Sequence, residues 1–432
     1  MHKQLEGENL YLIENRKPKF FYGYIVVAAT FCVMVMAGGI WVIFSVFFEP
    51  MLTEFGWTRA VLSGAASLRI FLTTLLGIAG GRLTDKFGPR LVVTVSVLFL
   101  GLGFFLMSRI STIWQLYLVF GVITGVGMSG LWVPMISTVS RWFVKRRGMM
   151  TGIVLSGASL GMIIMPPLAT WLIITYGWRT SYTIVGLIAM IVIILAAQFV
   201  KRDPAQIGQL PDNESGLKVE SLDLQARNLS LREAIHTRQF WMLCAVFGCL
   251  WFGATAIWVH IVIHAIDLGI PAISASRILA IMGGVGIAGR ILTGSLADRI
   301  GYKPALLIGF TLISASFLWL LVAKELWALN LFAVIFSLGM AGLAVLEAPL
   351  IARLFGLGSL SVIMGSVEFV STTLSTPSAI VAGYIFDTMD SYQLAFLIFA
   401  GVSIIGFMLS LFLRPIINKG GTNDPRRSTQ VY

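Results

Sequence analysis

The sequence predicts an all-α integral membrane protein, with about twelve transmembrane helices in two pseudo-symmetric six-helix bundles. Three observations lead there. Of 432 residues, 57% are hydrophobic and 12% charged, against about 25% charged in an ordinary soluble domain. The apolar residues gather into runs long enough to cross a bilayer as helices. A charged turn between two such runs occurs twice, which implies two equivalent halves, a duplicated helical bundle rather than a solenoid.

Residues 1–20 form a polar tail without the charge, short apolar core and small-residue cleavage site of a secretory signal, so the tail is expected to stay on the protein. Apolar spans follow at about 21–48, 61–81, 91–108, 113–140, 149–174 and 180–200, making an N-terminal bundle of 21–200. The polar stretch 201–238, with Pro211-Asp212-Asn213-Glu214-Ser215-Gly216, reads as a linker. Within it Ser230 and Glu233 have capping-box spacing and predict a short surface helix before the seventh span. Spans at about 239–264, 275–296, 304–323, 326–350, 360–385 and 392–413 make a C-terminal bundle of 239–414, and 415–432 is a second polar tail.

Placing both termini in the cytoplasm puts about 24 of the 31 Lys and Arg residues on that side, including Arg16, Lys17, Arg141 to Arg147, Arg426 and Arg427. Arg59, Arg109, Arg179 and Lys324 then lie outside. The expected location is the inner (plasma) membrane, crossed many times. Topology accounts for the net charge of +11, so nucleic acid is not an expected partner; the lipid bilayer is.

Several soluble-protein motifs fail on context. Asn213 and Asn228 begin Asn-x-Ser triplets, but on the side where glycosylation does not occur. Cys32, Cys244 and Cys249 all lie in apolar runs, where packing suits them better than a disulfide framework. Gly157-Ala158-Ser159-Leu160-Gly161 matches a nucleophile elbow inside an apolar helix, without a preceding strand. Gly284 to Gly289 matches a dinucleotide fingerprint inside the eighth span. Small residues four apart, such as Gly77/Gly81, Gly121/Gly125 and Gly157/Gly161, read as helix contacts. His260 and His264 lack the further ligands a metal site needs. Neither enzyme chemistry nor a cofactor nor a metal is expected.

The repeated turn reads Gly81-Arg82-Leu83-Thr84-Asp85-Lys86-Phe87-Gly88-Pro89-Arg90 and Gly294-Ser295-Leu296-Ala297-Asp298-Arg299-Ile300-Gly301-Tyr302-Lys303. It resembles the loop signature of the major facilitator superfamily of secondary transporters. That resemblance implies the major facilitator fold, with a substrate site at mid-membrane between the halves. Gly81, Asp85, Arg90, Gly294, Asp298 and Arg299 are then expected to latch the cytoplasmic side shut through charged contacts with neighbouring helix ends.

Ionisable residues inside the spans are the remaining candidates. A charge at the bilayer centre costs about 2.5–3.5 kcal/mol on insertion scales, so such residues usually face a cavity. Arg69, Arg290, Glu347, Glu368, His260 and His264 are of this kind. Each has a plainer reading. Arg290 can pair with Glu368 within the C-terminal half, and Arg69 can snorkel outward or neutralise a carboxylate. His264 can be interfacial near Asp267, and Glu347 can hold an inner gate with Arg353.

Further motifs narrow the resemblance over about 21–414. Gly56-Trp57-Thr58-Arg59-Ala60, Ser140-Arg141-Trp142-Phe143, Arg146-Arg147-Gly148, Gly177-Trp178-Arg179 and Asp203-Pro204-Ala205-Gln206-Ile207-Gly208 are similar to the bacterial branch of monocarboxylate and oxalate/formate transporters. The resemblance implies that Arg290, four residues before Gly294, holds a substrate carboxylate. It also brings departures: Gly286 stands where animal-type members have a proton-coupling Asp, Val42 near a first-helix Lys, and Ser371 near the oxalate exchanger's second cation. A monocarboxylate therefore fits better than a dianion, with Arg69 as a second cation and Trp41, Trp132 and His260 as cavity walls. Both Trp residues have an alternative as packing or lipid-facing side chains. Glu368, with His260 as second candidate, is expected to carry a coupled proton, because Glu347 sits closer to the membrane surface. Proton-coupled uptake of a small organic anion is the leading expectation, beside an exchanger or exporter and a non-transporting receptor on the same fold.

Overall fold

The computed structural model describes residues 20–213 and 229–413. The tails other than Phe20, the middle of the linker and Asn228 lie outside the described residues. Among the described residues twelve helices are long and apolar enough to cross a membrane. They are α1 (Gly23–Phe55), α2 (Arg59–Phe87), α3 (Pro89–Met107), α4 (Ile113–Trp142), α5 (Arg147–Tyr176) and α6 (Trp178–Phe199), then α7 (Arg238–Asp267), α8 (Ala272–Ile300), α9 (Tyr302–Leu320), α10 (Leu326–Phe355), α11 (Leu360–Met389) and α12 (Gln393–Leu411). Many overrun the spans read from hydrophobicity. Helical hydrogen bonding continues past the apolar window, as where α1 runs on through Glu49, Pro50 and Glu54.

Two helices are interrupted for local reasons. In α4, Tyr117–Ile123 is π-helical and the helix breaks at Gly130 and Leu131 before resuming at Trp132. In α11 the break falls between Ser375 and Pro377, since proline has no N–H for the preceding turn. The repeated turns are equally specific. Gly88 ends α2 with φ 87° and Gly301 ends α8 with φ 92°, a conformation open to glycine with little strain.

Small residues set the tightest crossing, between α1 and α5. A Cβ on Gly157 would fall 2.7 Å from the Phe31 carbonyl oxygen, and Gly161 and Gly38 leave as little room against Val35 and Ala158. The Gly-x-Ser-x-Gly stretch is thus a packing surface. Large apolar side chains point outward instead: Ile174 is 80% exposed and Ile380 72%. Such a surface suits lipid and is uncharacteristic of a water-soluble domain.

The face carrying the start of α1, the linker and the end of α12 is called here the terminal face. The linker is docked on it. Trp142 Nε1 donates to the Lys201 carbonyl at 2.8 Å, and Asp212 accepts from the Val144 and Lys145 amides at 2.7 and 2.8 Å. At its far end Leu229 N–H reaches Phe355 O at 3.0 Å. Ser230 and Glu233 close the capping box of a one-turn helix, Leu231–Ile235, and the bonds from Ser230 hold the Glu233 carboxyl below the usual range.

Candidate functional site at the interface of the halves

The halves meet mainly along two helix pairs, α2 with α11 and α5 with α8. Asp85 accepts from the Ser361 and Val362 amides at 3.3 and 3.0 Å, at the start of α11, and pairs with Arg141 of α4 at 2.8 Å. Asp298 does the equivalent at the start of α5, accepting from Gly148 N–H at 2.8 Å and Met149 N–H at 2.9 Å. Each carboxylate of one half thus sits on a helix N-terminus of the other, where free amides and the helix dipole favour an anion. Gly81 and Gly294 let the backbones approach: a Cβ on either would run into Ser361 or Gly148.

Two expected latch members have other neighbours. Arg90 binds Gln198 of α6 in its own half, and Arg299 is exposed. The contacts that Asp85 and Asp298 make across the halves are carboxylate to amide, because the α5 and α11 termini supply donors that no charge pattern reveals.

Moving away from the terminal face, α5 and α8 stay in contact through Gly152 against the Arg290 backbone and Ser156 Oγ donating to Ile287 O at 3.4 Å. One turn further they diverge. Gly283 and Gly284, on the same side of α8 as Ile287, face open space, while Ile163 of α5, one turn past Ser159, is 49% exposed. Among the described residues no comparable packing joins α1 to α7. The chain is therefore closed on the terminal face and parted on the opposite face.

Arg290 lies at the floor of that parting. Its Nη1 donates to Leu155 O at 2.8 Å and to Ser159 Oγ, both on α5, while its Nε is buried without a partner. The pairing with Glu368 left open by the sequence does not form: the guanidinium crosses to the other half and meets neutral oxygens. Among the described residues its charge has no carboxylate partner.

Arg69 is 3% exposed and does not snorkel. Its Nη2 donates to Trp41 O at 3.0 Å and Nη1 to Ile40 O at 3.4 Å, and the guanidinium stacks against Trp41 and Phe120 at 5.4 and 4.9 Å. Burial among α1, α2 and α4 closes it off from the parting between the halves in this state. The buried hydroxyl of Tyr182, within electrostatic reach, has no partner. Trp41 stands nearly one turn beyond Gly38, which packs on Ala158 beside Ser159, so the arginines differ in depth by about 5 Å, one helical pitch. Trp132 is half-buried at the break in α4.

His260 is placed elsewhere. Its Nδ1 meets Tyr392 OH at 3.1 Å and its Nε2 Ala379 O at 3.0 Å, which ties α7 to α11 and α12. The two acids stand at similar positions along their helices, Glu347 about two turns before the end of α10 at Phe355 and Glu368 about two turns after the start of α11 at Leu360. Glu347 is 5% exposed with Oε1 unpartnered, whereas Glu368 is half-buried, and the two interact electrostatically. Glu347 forms no gate with Arg353, because α10 continues to Phe355 and carries Glu347 two turns into the interior. Sequence reasoning missed Phe120, Tyr182 and Ser159, whose residue types are unremarkable; only the burial of Arg69 and Arg290 identifies them.

Two six-helix halves, joined by matching carboxylate-to-amide contacts beside a buried cation, define a multi-pass membrane protein. The chain belongs to the Major Facilitator Superfamily, whose sequence pattern it matches over residues 29–310 and 267–430. Monocarboxylate transporter 13 of Bos taurus is 26% identical over 383 residues, covering 87% of this chain and 86% of that one. Monocarboxylate transporter 12 of Mus musculus is 24% identical over 426 residues, covering 94% and 88%. MFS-type transporter pytF of Aspergillus terreus is 30% identical over 248 residues, covering 57% and 78%. These relatives are animal and fungal and add nothing to the bacterial branch expected from the motifs. Among solved structures, the proton:xylose symporter XylE bound to 6-bromo-6-deoxy-D-glucose superposes with TM-score 0.74 at 12% identity, covering 91% of this chain and 96% of that one. FucP in the outward conformation superposes with TM-score 0.69 at 18% identity, covering 91% and 100%. This protein is a transporter of a small molecule, not an enzyme.

Proposed function

We propose that the protein moves a small monocarboxylate across the plasma membrane by alternating access, with proton symport and with both termini in the cytoplasm. The observation that carries this reading is Arg290, a cation without a counter-ion at the meeting of the halves. A guanidinium offers a carboxylate two parallel hydrogen bonds, and a site of low dielectric strengthens them. Leu155 O and Ser159 Oγ hold the fork until an anion arrives. An anion that draws Arg290 off α5 loosens the α5–α8 contact, which links binding to opening of the terminal face. Arg69 adds positive potential from the other half without touching the substrate in this state. The relatives' names favour a monocarboxylate.

The proton is assigned to Glu347 and Glu368 together. Glu347, buried, and Glu368, half-buried, are within electrostatic reach of each other and can share one proton between them. Glu347 replaces His260 as the second member, since both ring nitrogens of His260 are engaged in holding helices together. The test of the anion site is Arg290→Lys, which keeps the charge and loses the fork. Counterflow of a labelled monocarboxylate in proteoliposomes is expected to fall at least tenfold while the variant remains folded; counterflow at the parent rate removes Arg290 from the site.

A further inference from the structure

On the terminal face, away from the interface of the halves, a cleft of about 370 Å³ is lined by residues that include Phe87, Gly88, Arg90, Gln198, Lys201 and Arg202. Three cations border it, from the α2–α3 turn and the start of the linker. The carboxylate nearest to them, Asp203, pairs with Arg202 at 3.2 Å and is shared with Arg141 at 3.6 Å. Lys201 lies over the Tyr22 ring at 4.8 Å and has no acidic partner, while Arg90 bonds the neutral Gln198. Positive charge is in excess here.

The start of α3 opens into the same cleft. This helix is 19 residues long; Pro89 at its first position has no N–H, so the free amides begin with Arg90 and Leu91, and Gly88 at the N-cap offers them no side chain. Amides without a cap, the positive end of a helix and flanking cations are the requirements of a phosphate site. The rim gives a second, independent indication. Phe87 is 54% exposed, Leu91 54% and Phe199 53%, and exposed apolar residues continue from there along α3 and α6 through Val95, Leu98, Leu195 and Ile191. A polar cleft that opens at its edge onto a lipid-facing surface suits a ligand with a phosphate head and hydrocarbon tails.

We propose that this cleft binds the phosphate of an anionic phospholipid, held by Arg90, Lys201, Arg202 and the α3 amides, with the acyl chains along α3 and α6. The site is separate from the anion site at Arg290 and does not rest on it. Phosphate is the shared chemistry of a lipid head and a soluble phosphate ester; the apolar rim selects the lipid.

The test uses the full-length protein in a neutral detergent, titrated with phosphatidylglycerol, phosphatidylcholine or soluble glycerol phosphate and read by native mass spectrometry. Phosphatidylglycerol is expected to bind at least tenfold more tightly than either of the others. Lys201→Gln combined with Arg202→Gln is expected to weaken it at least tenfold, while Arg109→Gln, a cation on the opposite face, leaves it unchanged. The single variant Lys201→Gln, expected to lose about threefold, covers the case in which the double variant fails to fold. Equal binding of phosphatidylcholine, or full affinity in a folded double variant, overturns the site. Glycerol phosphate binding as tightly as the lipid overturns the lipid assignment, and equal loss in Arg109→Gln reduces the effect to overall charge.

Discussion

The contact most open to a quantitative perturbation is Asp298 at the start of α5. Its oxygens accept from Gly148 at 2.8 Å and Met149 at 2.9 Å, and hydrogen bonds to a charged group contribute roughly 1.5–3 kcal/mol each. Asp298→Asn keeps one acceptor, turns an NH₂ group towards the second donor and removes the charge facing the helix dipole. The loss is about 2–3 kcal/mol, borne by the arrangement in which α5 and α8 touch. At 1.4 kcal/mol per factor of ten, the terminal face opens roughly 30 to 140 times more often. The assay follows a single cysteine, Ser156→Cys, in a background lacking Cys32, Cys244 and Cys249. Ser156 is 4% exposed and faces Ile287, so a membrane-impermeant maleimide reaches it only when the pair separates. Asp298→Asn is expected to raise the labelling rate at least tenfold and Arg299→Gln not at all. An unchanged rate in Asp298→Asn refutes the assignment of closure to these amides.

Glu347→Gln and Glu368→Gln are each expected to abolish proton-driven accumulation and to spare exchange of labelled for unlabelled substrate; accumulation in both variants removes the acid pair from coupling. His260→Phe loses its bonds to Tyr392 and Ala379, so thermal unfolding in detergent is expected to shift down by the equivalent of about 1–3 kcal/mol; an unchanged midpoint contradicts its structural part. Tyr182→Phe removes a buried hydroxyl that has no partner and is expected to leave the midpoint unchanged or raise it by up to about 1 kcal/mol; a clear loss of stability means that the hydroxyl is bonded. Gly161→Leu places a side chain against Val35 and is expected to destabilise the N-terminal half by about 1–3 kcal/mol, read as a lower unfolding midpoint.

Hydrophobic periodicity and the repeated turn made the bundle and its two halves legible, because a bilayer forces each span to satisfy its own backbone. Gly81, Asp85, Gly294 and Asp298 were visible as a repeat. Their partners were not, since an amide at the start of α5 or α11 has no sequence signature. Arg290 and Arg69 stood out as charges in apolar runs, and distance along the chain says nothing of whether they share a cavity. One faces the other half across α5; the other is enclosed by Trp41 and Phe120. Glu347 seemed shallow when counted from the end of the apolar run, but α10 extends past that run to Phe355 and buries it. His260 looked like a ligand because its partners, Tyr392 and a backbone carbonyl, come from other helices.

The central claim is that a carboxylate held by Arg290 crosses together with a proton. Its most direct test is uptake of a labelled monocarboxylate into proteoliposomes with and without an imposed proton gradient, in the parent and in Arg290→Lys. The account predicts accumulation above equilibrium in the parent only when the gradient is present, and none in the variant. Equal uptake with and without the gradient contradicts symport, and accumulation by Arg290→Lys at the parent level contradicts the site.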